Sequence, residues 1–367
     1  MSRVSLTFLW ETPARAIPVF SVFIPFFGCP RRCVFCSQHD QTGQQASPLD
    51  EILARAAADL HARRAQGRPP VELAFYGGTF TALAPRDLDA CLDMADSLRR
   101  DGCSTRPDRL DAALLARLRR HGCRTVELGI QSFSDTALQA SERHYSGRQA
   151  TEACRLVRDA GLALGVQLLP GMPGHQPEDF LADVRRALDL GADMLRFYPC
   201  LVLAGTELAR RWQQGLYTPW PLPRTLSLLA RGWLYARRAG VPVIRMGLAP
   251  EPGMEAALLA GPADRNLGGR VLGRALWLHV CACLLRTRGD DAARSEVRAA
   301  ALLDALLAGG EAPAGLPRAQ ALYLPRSCQG FFRGPGDELG TAWAALGITR
   351  RNLVWTAGQA ASLHLDA

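Results

Sequence analysis

Lysine is missing altogether: the 43 basic side chains among 367 residues are all arginine, set against 35 acidic ones for a formal net charge of +8. An arginine-only basic set reads as the coding bias of its host. Arginines scattered over helical segments are as readily a solvated surface as an anion-binding one, so charge alone does not make the chain a nucleic-acid binder. No uninterrupted apolar run reaches the ~20 residues of a membrane span. The opening MSRVSLTFLWETPARAIPVF lacks the long apolar core and small-residue cleavage site of a secretory signal. These absences predict a cytoplasmic protein with no membrane partner. Neither an internal repeat nor a coiled coil is evident, and nothing fixes the oligomeric state.

Cysteine is plentiful, but its number and spread argue against a disulfide framework. Eleven cysteines, an odd count in a long chain that is 48% hydrophobic, read as reduced thiols. Cys91, Cys103, Cys123, Cys154 and Cys200 sit singly in apolar or helical stretches, as small buried hydrophobes do. Cys281 and Cys283 form a C-x-C pair in WLHVCACLL with no second pair nearby, which leaves metal binding there open.

From residue 20 to about 248, short β-branched or aromatic runs alternate with amphipathic arginine- and alanine-rich segments, the signature of βα units. Strands are expected at 19–27, 71–76, 102–105, 125–130, 164–169, 194–198 and 243–246. Helices are expected at 49–64, 86–100, 108–120, 149–160, 177–190, 206–214 and 222–238. Pro177 followed by Glu178 and Asp179 is a well-formed helix start. The pattern predicts an α/β fold, a partial (β/α)6 barrel whose ligand site lies at the carboxyl ends of a parallel sheet. Past Pro250 the regularity fades into glycine- and proline-rich stretches. The expected division is therefore a core at 15–248 and a smaller, mainly helical region at 249–367 that begins with a helix at 267–285.

The segment FFGCPRRCVFCSQ follows the first strand and spaces Cys29, Cys33 and Cys36 as C-x3-C-x2-C. A loop of this length can turn three thiolates toward one centre, and thiolates suit zinc and iron-sulfur clusters alike. Structural zinc wants four ligands, often as two close pairs, whereas this loop supplies three; His39 as a fourth is awkwardly close to Cys36. Three ligands on a four-iron cluster leave one iron open for another molecule.

The loop resembles that of the radical S-adenosylmethionine (radical SAM) superfamily, and later blocks narrow the likeness to its Elp3-like and coproporphyrinogen-dehydrogenase-like branches. VELAFYGGTFTAL resembles the glycine-threonine block of the Elp3-like branch. STRPD, GIQSFSDTALQASERHYSGR, LLPGMPG and YPCLVLAGTELARRWQQGLYTPW extend the resemblance through most of residues 20–248. The resemblance implies a radical SAM partial barrel with a [4Fe-4S] cluster on Cys29, Cys33 and Cys36. It places Phe35 beside the adenine of S-adenosylmethionine, Gly77, Gly78 and Thr79 near its methionine amino group, and Ser104, Arg106 and Gln131 in the pocket. Arg143 falls where related enzymes bind the methionine carboxylate. Gln167 matches a ribose-side position at which those enzymes carry an acid. Tyr198 and Tyr217 are candidates to face substrate.

The implied chemistry is one-electron reduction of the sulfonium, giving methionine and a 5′-deoxyadenosyl radical that takes hydrogen from a bound molecule. No residue is singled out as a catalytic acid or base. The implied partners are a one-electron reductase such as flavodoxin or ferredoxin, and a substrate that is either RNA or a small anionic metabolite such as a tetrapyrrole. A non-catalytic iron-sulfur or zinc RNA-binding module is the alternative. No acetyl-CoA loop of the kind found in Elp3 proper occurs after the core. Arg326, Cys328, Phe331, Phe332 and Arg333 form a candidate contact patch in the last third of the chain.

Overall fold

The computed structural model describes residues 4–10, 18–43, 46–96, 100–248 and 252–365. Residues 97–99, where the helix expected at 86–100 would end, and residues 249–251, at the expected boundary near Pro250, lie outside the described residues. Among the described residues thirteen strands occur in chain order: β1 Val4–Leu9, β2 Val19–Phe23, β3 Glu72–Tyr76, β4 Arg100–Thr105, β5 Thr125–Gln131, β6 Ala163–Leu168, β7 Met194–Phe197, β8 Val202–Leu203, β9 Val243–Met246, β10 Leu258–Ala260, β11 Ala319–Pro325, β12 Leu353–Thr356 and β13 Ala360–Leu365. The chain divides into two compact units. One comprises Met1–Ala14, Leu226–Leu234 and Asn266–Ala367; the other comprises Arg15–Thr225 and Tyr235–Arg265.

The larger unit is built on a seven-stranded sheet of order β2-β3-β4-β5-β6-β7-β9, parallel throughout. Strictly sequential order is what repeated βα crossovers produce, and it brings every carboxyl strand end to one side. Among the described residues β2 and β9 do not pair, so the barrel is open. Val126, Leu128 and Ile130 on β5 and Leu164, Val166 and Leu168 on β6 are almost wholly buried, as strands covered on both faces must be.

Local chemistry sets the element ends. The strand expected at 19–27, β2, stops at Phe23 because the chain turns through left-handed Phe26 and Gly28 (φ 63° and 71°). The helix expected from Asp108 begins at Ala112. Asp111 caps it by accepting from the Leu114 amide at 2.8 Å, while Asp108 is held by Arg106. The Pro177 start is observed, with the side chain of Asp179 accepting from the Gln176 amide at 3.0 Å.

In the smaller unit the helices Leu267–Arg286, Ala292–Leu307 and Gly340–Ala345 accompany a four-stranded sheet of order β1-β13-β11-β12, which residue patterning did not resolve. The helix Leu267–Arg286 has the length and mean hydropathy (1.2) to cross a bilayer, although no such run was expected. Two thirds of its apolar window is buried inside the protein, and it carries Arg270 and Arg274, both paired with Glu338 (2.5 and 2.8 Å). These are the features of a core helix. The contact patch expected around Phe331 is corrected here: Cys328, Phe331 and Phe332 are buried. Phe332 stacks on Trp343 at 4.3 Å and accepts the Trp343 indole N–H on its carbonyl at 2.8 Å. Aromatic residues flanked by arginine read as a surface in sequence, but here the rings close the small unit's own core.

Candidate active site

The three-cysteine loop leaves β2 and is braced against the turn after β3. Gln38 accepts two backbone N–H groups on one side-chain oxygen, from Phe26 at 2.7 Å and from Gly78 at 2.8 Å. The Thr79 amide donates to the Phe27 carbonyl at 2.7 Å. A Cβ on Gly78 would lie 2.2 Å from the Phe27 carbonyl oxygen, and Gly78 itself sits at φ +58°, so this crossing of two loops requires glycine on both counts. Cys29 Sγ lies 3.3 Å from Thr79 Oγ1. The GGT block is thereby placed against the first cysteine, with the Gly78 amide already engaged by Gln38.

The three thiols share one neighbourhood, and it resists a bare charge. Burial pushes the Cys36 thiol up to about 12, with added pressure from the nearby Cys33 and Cys29 sulfurs. Burial likewise raises Cys29, partly offset by the Thr79 hydroxyl. Among the described residues no three His, Cys, Asp or Glu side chains converge as ligands of a single ion. A cluster is ligated at separate irons, so its thiolates stand further apart than the ligands of one zinc.

Two buried guanidinium groups meet at Cys33. Arg143 donates from Nη1 to Cys33 Sγ at 2.8 Å, from Nη2 to the Gly129 carbonyl at 2.7 Å and from Nε to Tyr145 Oη at 2.9 Å. Arg106 reaches the same sulfur from Nη1 at 3.6 Å. It grips Asp108 through Nε and Nη2 (2.9 and 3.1 Å) and donates to the Arg143 carbonyl at 2.6 Å. Burial alone would lower the pKa of Arg143, but its Tyr145 and Cys33 neighbours more than compensate and hold it above the ordinary arginine value. Positive charge and N–H donors aimed at one sulfur suit a thiolate that carries iron.

Arg143 sits between two residues in left-handed conformation, Glu142 (φ 54°) and His144 (φ 57°). Such backbone is costly outside glycine and has to be held by its surroundings. The helix Glu207–Gln213 holds it: Arg211 donates to the Ala140 carbonyl at 2.7 Å and pairs with Glu142 at 2.5 Å. The Leu208 amide of the same helix donates to the Val34 carbonyl at 2.8 Å, so one short helix fixes both the cysteine loop and the Arg143 loop.

A second polar group lies on β3 to β7, deeper along the strands. Parallel register sets Ser104 beside Glu127, Glu127 beside Gly165 and Gln167 beside Arg196. Glu127 accepts from Tyr76 Oη at 2.9 Å and stands 2.6 Å from Arg196 Nε; Arg196 Nη1 donates to Tyr198 Oη at 3.1 Å. The Gln167 amide nitrogen reaches Ser104 Oγ at 3.2 Å and Glu127 Oε2 at 3.4 Å. An acid at 167 would oppose Glu127, whereas an amide donates to it. Glu127 and Arg196 were not singled out in the sequence. Their signal was a glutamate inside the apolar TVELGI and an arginine inside MLRF, opposite a strand glycine at 165 whose Cβ would meet Glu127 Cγ at 2.7 Å.

Glu127→Gln preserves shape but leaves the Arg196 charge without its partner. Because breaking one side of a buried pair typically costs ~3–5 kcal/mol, the variant is expected to unfold at clearly lower urea concentration. An unchanged midpoint would show that Arg196 finds another counter-charge.

The remaining expected residues fall in different places. Gln131 ends β5 at φ 64°, and its carbonyl accepts from the Leu169 amide at 2.8 Å. Phe35, 9% exposed, packs with Ala137, Met172, Val202 and Leu208 in an apolar cluster against the cysteine loop. Tyr217 is no substrate-facing residue: its hydroxyl is buried and donates to the Gly171 carbonyl at 2.7 Å, latching the LLPGMPG turn. That turn is further held by buried His175, which accepts from the Gly171 amide at 3.3 Å, lies 3.1 Å from Asp183 and stacks on Trp220. Cys281 is buried, and Cys283 Sγ lies 3.8 Å from His279 Nε2 and accepts from Arg286 Nη2 at 3.3 Å.

Residues 23–187 match the Radical SAM superfamily, and residues 192–274 match the Radical_SAM C-terminal domain. The chain is 29% identical over 269 residues to the tRNA uridine(34) acetyltransferase of Dehalococcoides mccartyi, covering 63% of this chain and 57% of that protein. It is 30% identical over 224 residues to the heme chaperone HemW of Mycobacterium tuberculosis, covering 58% and 56% respectively. The archaeal Methanocaldococcus infernus Elp3 shares the fold, with a TM-score of 0.54 and 22% identity over 70% of this chain and 62% of that one. The chain thus spans little more than half the length of the curated relatives it matches.

Proposed function

Since this chain belongs to the radical SAM superfamily, whose cofactors are a [4Fe-4S] cluster and S-adenosylmethionine, we propose that it cleaves S-adenosylmethionine reductively and takes hydrogen from a nucleobase in RNA. When bound, these cofactors supply a hydrogen-abstracting radical from one added electron. Cys29, Cys33 and Cys36 would hold the cluster. The observation that carries this reading is the convergence of Arg143 and Arg106 on Cys33, in a loop braced by Gly78 and Thr79. Donors and charge gathered there can fix the methionine carboxylate beside an iron that lacks a protein ligand. Gln167, which matches a ribose-side position of related enzymes, would face the ribose with Ser104 beside it. Their hydroxyl and amide suit sugar oxygens, and Glu127 keeps the Gln167 amide oriented.

RNA is the favoured substrate because the relative from D. mccartyi is named for a tRNA uridine. A second reading, tetrapyrrole binding without substrate turnover, draws on the comparable similarity to a heme chaperone. The anaerobically reconstituted protein, given S-adenosylmethionine and a reductant, is expected to form 5′-deoxyadenosine faster when unmodified tRNA is added. Heme binding with no stimulation by RNA would replace the first reading by the second.

A further inference from the structure

The inner side of the cysteine loop is occupied by Arg106 and Arg143, but its outer side is not. Pro30, Arg31 and Arg32 fill the interval between Cys29 and Cys33, and all three are exposed. Among the described residues Arg31 makes no ion pair or hydrogen bond, and the one contact of Arg32 is its guanidinium resting 4.4 Å from the centroid of the Phe26 ring. Elsewhere many arginines on the protein are satisfied by acids: Arg117 by Asp89, Arg158 by Asp193, Arg210 by Glu207, Arg265 by Glu255 and Arg298 by Asp290. Two adjacent exposed cations are therefore left without an acidic partner among the described residues, in the interval between two half-buried cysteines. Phe26, held left-handed (φ 63°) by its bond to Gln38, offers the face on which Arg32 lies, and the His39 ring meets it edge to face at 5.2 Å.

We propose that this outer face of the loop, centred on Arg31 and Arg32, is the docking surface for an acidic one-electron carrier protein that reduces the cluster. The proposal rests on the reading of Cys29, Cys33 and Cys36 as cluster ligands. Inside the barrel the cysteines face the groups assigned to cofactor and substrate, so an electron has to enter from outside. Uncompensated charge at the entry point raises the encounter rate of an oppositely charged partner, by ten- to a thousandfold in steered systems. Each productive encounter moves one electron from a fully reduced flavin, left as its semiquinone, to the oxidised cluster, with no proton transferred. RNA would also be drawn to two arginines, but a base undergoing chemistry must reach the strand ends around Gln167 and Tyr198, whereas these side chains flank the first and second cysteines.

The test is stopped-flow reduction of the reconstituted protein by two donors: flavodoxin hydroquinone, which is acidic, and reduced methyl viologen, a small cation. For the unmodified protein the flavodoxin rate should fall steeply with added salt. In the double variant Arg31→Glu, Arg32→Glu it should drop at least tenfold at low salt and lose most of its salt dependence, while iron content and the viologen rate hold or rise. Arg31→Gln, Arg32→Gln should lie between. An unchanged flavodoxin rate overturns the docking surface, as does a variant that loses tRNA affinity but not flavodoxin reduction. A protein that neither donor reduces, even before substitution, overturns the cluster reading instead.

Discussion

Replacing Cys29, Cys33 or Cys36 by alanine is expected to remove most bound iron, from about four atoms per chain to below one, and with it all 5′-deoxyadenosine formation. Cys91→Ala should keep both. Losing one of only three protein attachments leaves a cluster on two, while Cys91 is wholly buried in the helix Pro85–Asp96 and serves as packing. The same loop predicts a proton signature. With burial holding Cys36 at about 12, that thiol is protonated at neutral pH, and only its thiolate binds iron, so loading must expel the proton. Iron binding should therefore strengthen as pH rises from 7 toward 9, and assembly in weak buffer should acidify the solution. Iron analysis of the four variants decides the first point. Equal content in all of them defeats the assignment.

Much of this site could be read from residues alone, for reasons that differ by element. The cysteine spacing and the Gly77–Gly78 pair were legible because each is local: three closely spaced thiols on one loop share a neighbourhood, and only glycine tolerates Gly78's conformation and crowding. Parallel strands were legible because burial on both faces makes them apolar throughout, and the same rule hid Glu127 and Arg196. Each looks like a stray charge in a strand until parallel register, which links residues some 70 positions apart, sets them within 2.6 Å of one another. The β1-β13-β11-β12 sheet was illegible for a related reason. It joins the two ends of the chain, with Val4 opposite Leu365, and no local pattern reports such a pairing. Arg211 was likewise an ordinary helix arginine until the loop it clamps was in place.

Arg143→Lys is expected to retain full iron and normal cluster absorption, yet to bind S-adenosylmethionine about ten- to a hundredfold more weakly and yield correspondingly less 5′-deoxyadenosine. A guanidinium has five N–H groups. Three are engaged, by Tyr145, Cys33 and Gly129, which leaves one on each terminal nitrogen, the pair a carboxylate can meet side by side. Lysine has one nitrogen and no fork, and in this pocket it would have to choose between the Gly129 carbonyl, the Cys33 sulfur and the cofactor. One charge-assisted hydrogen bond lost is worth ~1.5–3 kcal/mol, which sets the expected range. The strained backbone at Glu142 and His144 sharpens the expectation, because Arg211 and the helix Glu207–Gln213 hold position 143 in place and a shorter reach cannot be recovered by moving the loop. Arg211→Ala should accordingly weaken cofactor binding in the same direction while leaving every donor of Arg143 intact. Titration calorimetry on the reconstituted Arg143→Lys protein is the deciding measurement: an unchanged dissociation constant would mean that Arg143 serves only Cys33 and the Gly129 turn, and that the carboxylate is held elsewhere.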